Sequence, residues 1–402
     1  MTTLKTESSG IGPTARFSAI EALFWGSYSA IFAYSSVYLL DKGFSNSVIG
    51  YIIAIGSILS AVLQPSVGAY ADRSRKNVLH TLLTVFSLIM VLCCGGLLCA
   101  GRVFWVTALL YGLLIAFLQV ITPLINSLGM LFISRGVNIN FGIARGLGSL
   151  AYAGISALLG VLTERFDVST VIWTVMALYV LMIIAVVTFH FKDINEDPAS
   201  TDVAEVSAKQ NIFEFFASHR RFTVLLFGNV LIFISYNMVC DYLYQIIASI
   251  GCTSSDLGNV LFVGAALELP SLFLLTRINK RVSSGHLFKL TAVFMTLKNI
   301  ILLFAGSLAA VYCAMLTQPL GFGLFAGISI YYVSHTIEPE NDVRGQSLMT
   351  DTITVGAVLG SLLGGIIIDA ASVKAMLVFA VIVSAVGMVI VCLSAENGKR
   401  LG

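Results

Sequence analysis

Charge is scarce in this sequence. Asp, Glu, Lys and Arg make up 11% of its 402 residues, against about 25% in an ordinary soluble domain, too few to coat a water-facing surface. The formal net charge of +2 is too small to imply a nucleic-acid partner. Seven cysteines (Cys93, Cys94, Cys99, Cys240, Cys252, Cys313 and Cys392) lie mostly inside apolar stretches and show neither metal-binding nor redox spacing, so they read as small apolar residues. The five histidines are scattered, with no repeated spacing to Cys, Asp or Glu. No metal site, no cofactor and no enzymatic nucleophile with its base is expected from such a pattern. A phosphate-cradling GxxxxGK(S/T) motif is missing, which argues against ATP-driven pumping. The first sixteen residues are polar and lack the apolar core of a cleavable signal peptide.

What the sequence does have is apolar length. It is 57% hydrophobic with a mean hydropathy of +0.93, and a membrane-spanning helix needs about 20 mostly apolar residues. Such runs lie near 18–40, 47–71, 78–100, 103–133, 141–163 and 170–191, and again near 222–250, 257–277, 284–306, 307–337, 345–370 and 373–393. The expected fold class is therefore an all-α integral membrane protein of twelve spans. One long polar segment, from Lys192 to Arg221, interrupts the series and cannot bury enough apolar surface to fold by itself. Within it, NIFEFFASH has the pattern of a short amphipathic helix lying on a membrane surface. The expected organisation is an N-terminal tail (1–16), a six-helix bundle (17–191), a central loop (192–221), a second six-helix bundle (222–393) and a C-terminal tail (394–402).

Loop charge sets the orientation. With the N-terminus in the cytoplasm, that side carries sixteen Lys and Arg, and the other only Lys42, Arg102, Arg165 and Lys374; the excess places both termini inside. The halves also echo each other. Gly50 and Gly56 recur 208 residues later as Gly258 and Gly264, each pair followed by a basic loop, DRSRK at 72–76 and RINKR at 277–281. This is the pattern of a duplicated six-helix unit. Gly356, Gly360 and Gly364 add a four-residue spacing that lets a neighbouring helix approach closely.

Against this background the charges inside the spans stand out, because an ionised side chain near the bilayer centre costs several kcal/mol. They are Glu21, Arg145, Asp241, Glu268, Lys298 and Asp351. Glu268 and Lys298 are the most central, and Pro270 is expected to weaken the helix beside Glu268. Asp241 lies further along its run. Arg145 is near the start of the fifth run, where it can either snorkel to the surface or serve a cavity. Glu21 and Asp351 are open to the same two readings, and a structural ion pair is the alternative for the central residues. Four carboxylates against two cations leave two negative charges uncompensated, so at least one carboxyl is expected to carry a proton for part of any working cycle.

FGIARGLGSLAYA, from Phe141 to Ala153, resembles the fifth-helix signature of lactose permease and its relatives in the major facilitator superfamily. LQPSVGAYADRSRK, from Leu63 to Lys76, is similar to the superfamily's loop between helices 2 and 3: Gly68, Asp72, Arg73, Arg75 and Lys76 match in order, and the second glycine of that pattern is missing. Glu268 and Lys298 resemble the acidic residue of helix 8 and the basic residue of helix 9 in the branch of oligosaccharide, phenylpropionate and nucleoside permeases coupled to protons. The resemblance implies two pseudo-symmetric bundles, with Arg145 and Glu268 facing one another across a central cavity and binding the substrate, and with the 68–76 loop acting as a gate. It further implies that Tyr152, two turns beyond Arg145, takes the place of a tryptophan on which the relatives stack a sugar ring.

Two departures bear on the chemistry. Where lactose permease has a carboxylate opposite the arginine, the nearest candidate is neutral Asn126, which leaves Arg145 open to an anionic solute as well as a sugar. The tenth run has neither the histidine nor the glutamate used there, and Gln318 is its one strong polar group. The coupling network is then expected among Glu268, Asp241, Lys298, Glu21 and Asp351, with Glu268 as its leading proton carrier and Asp241 as a possible partner of Lys298. The function implied is a secondary transporter of a small polar solute, a sugar first, in the bacterial inner membrane, working as a monomer with protons as coupling ion. The alternatives are an aromatic-acid or nucleoside permease, an uncoupled facilitator, and a non-transporting receptor.

Overall fold

Apolar runs of this length satisfy their backbone in lipid by hydrogen bonding within themselves, and helices build the described part of the chain. The computed structural model describes residues 12–73, 78–100, 103–190, 212–279 and 282–396. Twelve helical segments follow in order: α1 (13–41), α2 (Asn46–Arg73), α3 (Val78–Ala100), α4 (Phe104–Ser134), α5 (Phe141–Arg165), α6 (Thr170–Thr188), α7 (Arg220–Asp241), α8 (Ser254–Asn279), α9 (Ser284–Leu303), α10 (Leu308–Thr336), α11 (Pro339–Ala370) and α12 (Val373–Ser394); among the described residues ten of them, all but α1 and α8, are by length and composition able to cross a membrane. They fall close to the apolar runs read from the sequence.

Two of these segments pass through a π-helical turn. α1 passes through a π-helical turn at Ser29–Ala33, where the Tyr111 hydroxyl donates to the Ile31 carbonyl at 2.8 Å. α10 kinks through Pro319–Gly323, with non-helical backbone at Gly321; Pro319 lacks the amide that would continue the ladder. α8, by contrast, continues as helix through Pro270, so the weak point expected there lies instead in α10.

Each half is built to the same plan. α1 packs on α5, α2 on α4 and α3 on α6; in the second half α7 packs on α11, α8 on α10 and α9 on α12. Between the halves, α2 meets α11 and α5 meets α8. The glycine stripe of α11 faces α7: a Cβ at Gly360 would stand 2.5 Å from the Ile234 carbonyl oxygen. Lipid supplies no hydrophobic drive between helices, and close backbone approach supplies packing in its place.

The symmetric pair of glycines lies where the halves touch. A Cβ on Gly258 of α8 would crowd the Ser156 carbonyl, which accepts from the Tyr34 hydroxyl at 2.6 Å. Gly50 of α2 repeats this against Ser361, whose carbonyl accepts from Tyr242 at 2.7 Å. Beside it, the Asp369 carboxylate at the end of α11 caps the start of α2, accepting from the Ser47 amide at 2.6 Å and the Asn46 side chain at 2.8 Å; a negative charge there complements the helix dipole. These joints are gathered at the end away from the chain termini, and there one apolar core runs through both halves, from Ile49 and Leu159 to Met238 and Leu257. Toward the termini, Phe222, Phe288, Tyr332 and Val391 form a cluster of the second half alone. The halves thus close on each other at the far end and part toward the termini.

The segment NIFEFFASH supplies the helix Ile212–Ser218. Phe215 of this helix is fully buried in the core of the second half, and His219 just beyond it bonds Glu338 at 2.8 Å.

Candidate functional site

Two polar clusters face the interface between the halves, one from each bundle. In the first, Glu21 and Trp25 sit one turn apart on α1, and the Trp25 indole N–H donates to Glu21 Oε2 at 2.9 Å. The Arg145 guanidinium of α5 lies over the Trp25 ring, its Cζ 3.8 Å from the ring centroid, a close cation–π contact. Its Nη1 also donates to Ser149 Oγ at 3.0 Å, one turn along α5. Gly148 makes this possible: a Cβ there would stand 2.6 Å from Trp25 Cδ1, so only glycine leaves room for the indole between α1 and α5. Glu21 is 1% exposed, and its second oxygen, Oε1, has no hydrogen-bond partner among the described residues.

The second cluster is centred on Gln318, at the kink of α10. Its Nε2 donates to Glu268 Oε1 of α8 at 2.7 Å and to the Tyr236 hydroxyl of α7 at 3.1 Å, while its Oε1 accepts from Lys298 Nζ of α9 at 2.9 Å. Four helices are thereby tied at one amide. Lys298 stands 5.2 Å over the Tyr236 ring, and that ring stacks on Phe322 at 5.0 Å. Glu268 lies within electrostatic reach of Arg145 as well as Lys298, so the clusters sense each other across the molecular axis. Tyr152, half-buried on α5, has Tyr28 and Tyr34 of α1 and, from the other half, Cys240 and Glu268 as its electrostatic neighbours.

Other residues singled out in the sequence are placed apart. Asp241 does not join Lys298: it takes the Ser361 hydroxyl, toward the closed end, and its backbone carbonyl accepts from Ser36 at 2.7 Å. Lys298 turns to Gln318 because that amide is on a helix α9 packs against. Asn126 and Asp351 are exposed on α4 and α11, and neither side chain bonds to the clusters. Gly68 has open space where a Cβ would stand; Asp72 and Arg73 end α2, and Arg75 and Lys76 lie outside the described residues. Trp25, Ser149, Tyr236 and Phe322 were missed in the sequence, where aromatic and hydroxyl residues inside apolar helices look like packing. One signal was available: Tyr28 and Tyr236, like Tyr34 and Tyr242, are 208 residues apart, the shift of the glycine repeat.

Twelve helical segments in two symmetric bundles, meeting through α2–α11 and α5–α8 around facing polar clusters, have the architecture of the major facilitator fold. The sequence model of the MFS_1-like family matches residues 15–381, and the chain belongs to that family, whose members are transporters and not enzymes. It is 24% identical to the maltose permease of Geobacillus stearothermophilus over 383 residues, 94% of each chain. Among solved structures it resembles the nucleoside transporter NupG, with a TM-score of 0.78 at 12% identity over 96% of this chain and 98% of that one. It also resembles a bacterial homologue of the lysosomal transporter Spinster in an inward-facing, occupied conformation, with a TM-score of 0.68 at 13% identity over 96% and 98% of the two chains. The protein is a multi-pass membrane transporter of a small solute.

Proposed function

We propose that this protein is a proton-coupled symporter of a small oligosaccharide, a disaccharide first, working by alternating access between bundles spanning 17–191 and 222–393. The observation that carries the reading is the pair of facing clusters, Arg145 on Trp25 and Glu268 on Gln318, beside the stacked Tyr236 and Phe322 rings. A guanidinium offers a planar fork of donors and a carboxylate two acceptors, which suits adjacent hydroxyls, while aromatic faces take the apolar side of a sugar ring. Tyr152 is the further aromatic, and Asn126 the neutral group on α4 that an incoming solute meets. The likeness to a maltose permease supports the sugar, and the count of buried carboxyls over cations supports the proton. The membrane is the inner (plasma) membrane with both termini cytoplasmic, on the excess of Lys and Arg in that side's loops. The structure is then open to the cytoplasm, with Gly68, Asp72, Arg73, Arg75 and Lys76 in the gating loop. The protein acts as a monomer and needs no cofactor besides the coupling ion.

The test is uptake of labelled maltose, galactosides, uridine and phenylpropionate into right-side-out vesicles, with and without an inward proton gradient. Gradient-driven accumulation of a disaccharide with alkalinisation of the medium is expected. Accumulation of uridine or the aromatic acid alone replaces the sugar; equilibration without accumulation makes the protein a facilitator; binding without flux makes it a receptor.

A further inference from the structure

The two halves share one plan, and one of the buried positions at which they differ lies on α1. The shift of 208 residues that relates Tyr34 to Tyr242 and Gly50 to Gly258 also relates Glu21 to Asn229. Both are 1% exposed. Asn229 is neutral and satisfied, its Nδ2 donating to Thr352 Oγ1 of α11 at 2.6 Å. Glu21 keeps one oxygen on the Trp25 indole and the other without a partner among the described residues. A carboxylate held there with a bare oxygen costs far more than a neutral carboxyl, whereas Glu268 has the Gln318 amide and the Lys298 charge beside it.

Among the described residues, the surroundings of Glu21 hold a cation. Arg145 of α5 is the charge that faces it, and the Trp25 ring touches both groups, bonding Glu21 by its edge and carrying Arg145 on its face. Arg16, further down α1, is occupied by the carbonyls of Thr188 and His190. The ionisable groups that α4 and α6 bring to α1 are Tyr111, which bonds Ile31, and Tyr179, near Ser27; both meet α1 beyond Trp25. Tyr28 lies beyond it on α1 itself.

We propose that Glu21 is the proton-binding group of this transporter, and that Arg145 switches it by moving between the Trp25 face and the free oxygen of Glu21. The inference rests on the symport reading above. With Arg145 on Trp25, or drawn to solute, Glu21 is a carboxylic acid. When the guanidinium turns from the Trp25 face to Oε1, the O–H bond breaks with its electron pair staying on the carboxylate, and the proton passes to water in the cleft that opens toward the termini. Bound solute draws Arg145 away from Glu21 and keeps the proton in place, so solute and proton travel in the same half-cycle.

Infrared spectroscopy of the purified protein in lipid tests this without any ligand. A protonated-carboxyl carbonyl band is expected in solute-free wild type at pH 7, lost in Glu21→Gln and kept in Glu268→Gln; a band unchanged in Glu21→Gln overturns the proposal. A second measurement covers failure of that variant to fold. With Trp105 and Trp173 replaced by Phe, Trp25 is the sole indole, and its fluorescence is expected to titrate with pH when Glu21 is intact; a flat profile overturns the proposal. In vesicles loaded with labelled maltose, Glu21→Gln is expected to exchange solute while its proton movement falls at least tenfold; wild-type alkalinisation in that variant overturns the proposal. Wild-type solute flux with no proton movement overturns the symport reading, while the band and the Trp25 titration still report on Glu21.

Discussion

Arg145 joins two helices through one side chain, stacked on an indole of α1 and bonded to Ser149 of α5. Its planar fork sets its use, so Arg145→Lys is expected to lose solute affinity at least tenfold, about 1.4 kcal/mol, and nearly as much as Arg145→Ala. Wild-type binding by Arg145→Lys in an equilibrium assay would return the residue to a snorkelling role. Gly148 is the quieter partner of the same contact. Gly148→Ala places a methyl against Trp25 Cδ1, where the rigid indole has to shift, and overpacking of this kind costs about 1–3 kcal/mol. The expected result is a lower thermal midpoint together with weaker solute binding, because the displaced ring also releases Arg145. A fall in stability alone would separate Trp25 from the solute site.

At the scale of elements, the helix Ile212–Ser218 shows how a polar linker becomes part of a bundle. Phe215 enters the core of the second half, the His219 ring stacks on it at 4.4 Å, and His219 bonds Glu338 in the turn before α11. That hydrogen bond holds the Glu338 carboxyl below the usual glutamate range. A carboxyl lowered on folding contributes stability that is complete above its unfolded value and is lost as pH falls through its folded value. Glu338→Gln is therefore expected to speed amide exchange in 212–218 at neutral pH, with the difference from wild type vanishing once the pH falls below the glutamate range. Equal exchange at neutral pH would mean that the His219–Glu338 bond does not hold this helix. The kink of α10 is a second element-scale device: it sets Gln318 where one amide reaches α7, α8 and α9.

For the whole molecule, the decisive contacts are those that exist only when the far end is closed. Gly50 and Gly258 bring α2 against α11 and α8 against α5 at backbone distance, and Tyr34 and Tyr242 bond the same carbonyls. A methyl at either glycine opposes closure without touching the polar clusters. Gly258→Ala and Gly50→Ala are each expected to shift the population toward the state open at the far end, by about 1–3 kcal/mol, or roughly five- to 150-fold. Maleimide labelling reads this at Gln245→Cys, since Gln245 is buried there on Asn46 at 2.8 Å. Faster labelling in the glycine variants is the expected result; unchanged labelling would mean that the joint adapts.

The sequence by itself determined the solvent, the number of spans and the duplication. Lipid leaves the backbone only internal hydrogen bonds, so length and hydropathy are nearly sufficient to place helices, and the rarity of charge makes each intramembrane ionisable residue conspicuous. Arg145, Glu268 and Lys298 were legible for that reason, and Gln318 as the one strong polar group of the tenth run. Partnership was not legible, because which side chains meet depends on helix rotation and on breaks that shift the register, and neither is written in composition. Lys298 takes Gln318 and Asp241 takes Ser361 because α10 kinks before its end and α7 lies along α11. Trp25 is important for its position between Glu21 and Arg145, a property of α1 and α5 packed through Gly148, and only the tertiary structure brings those three residues together.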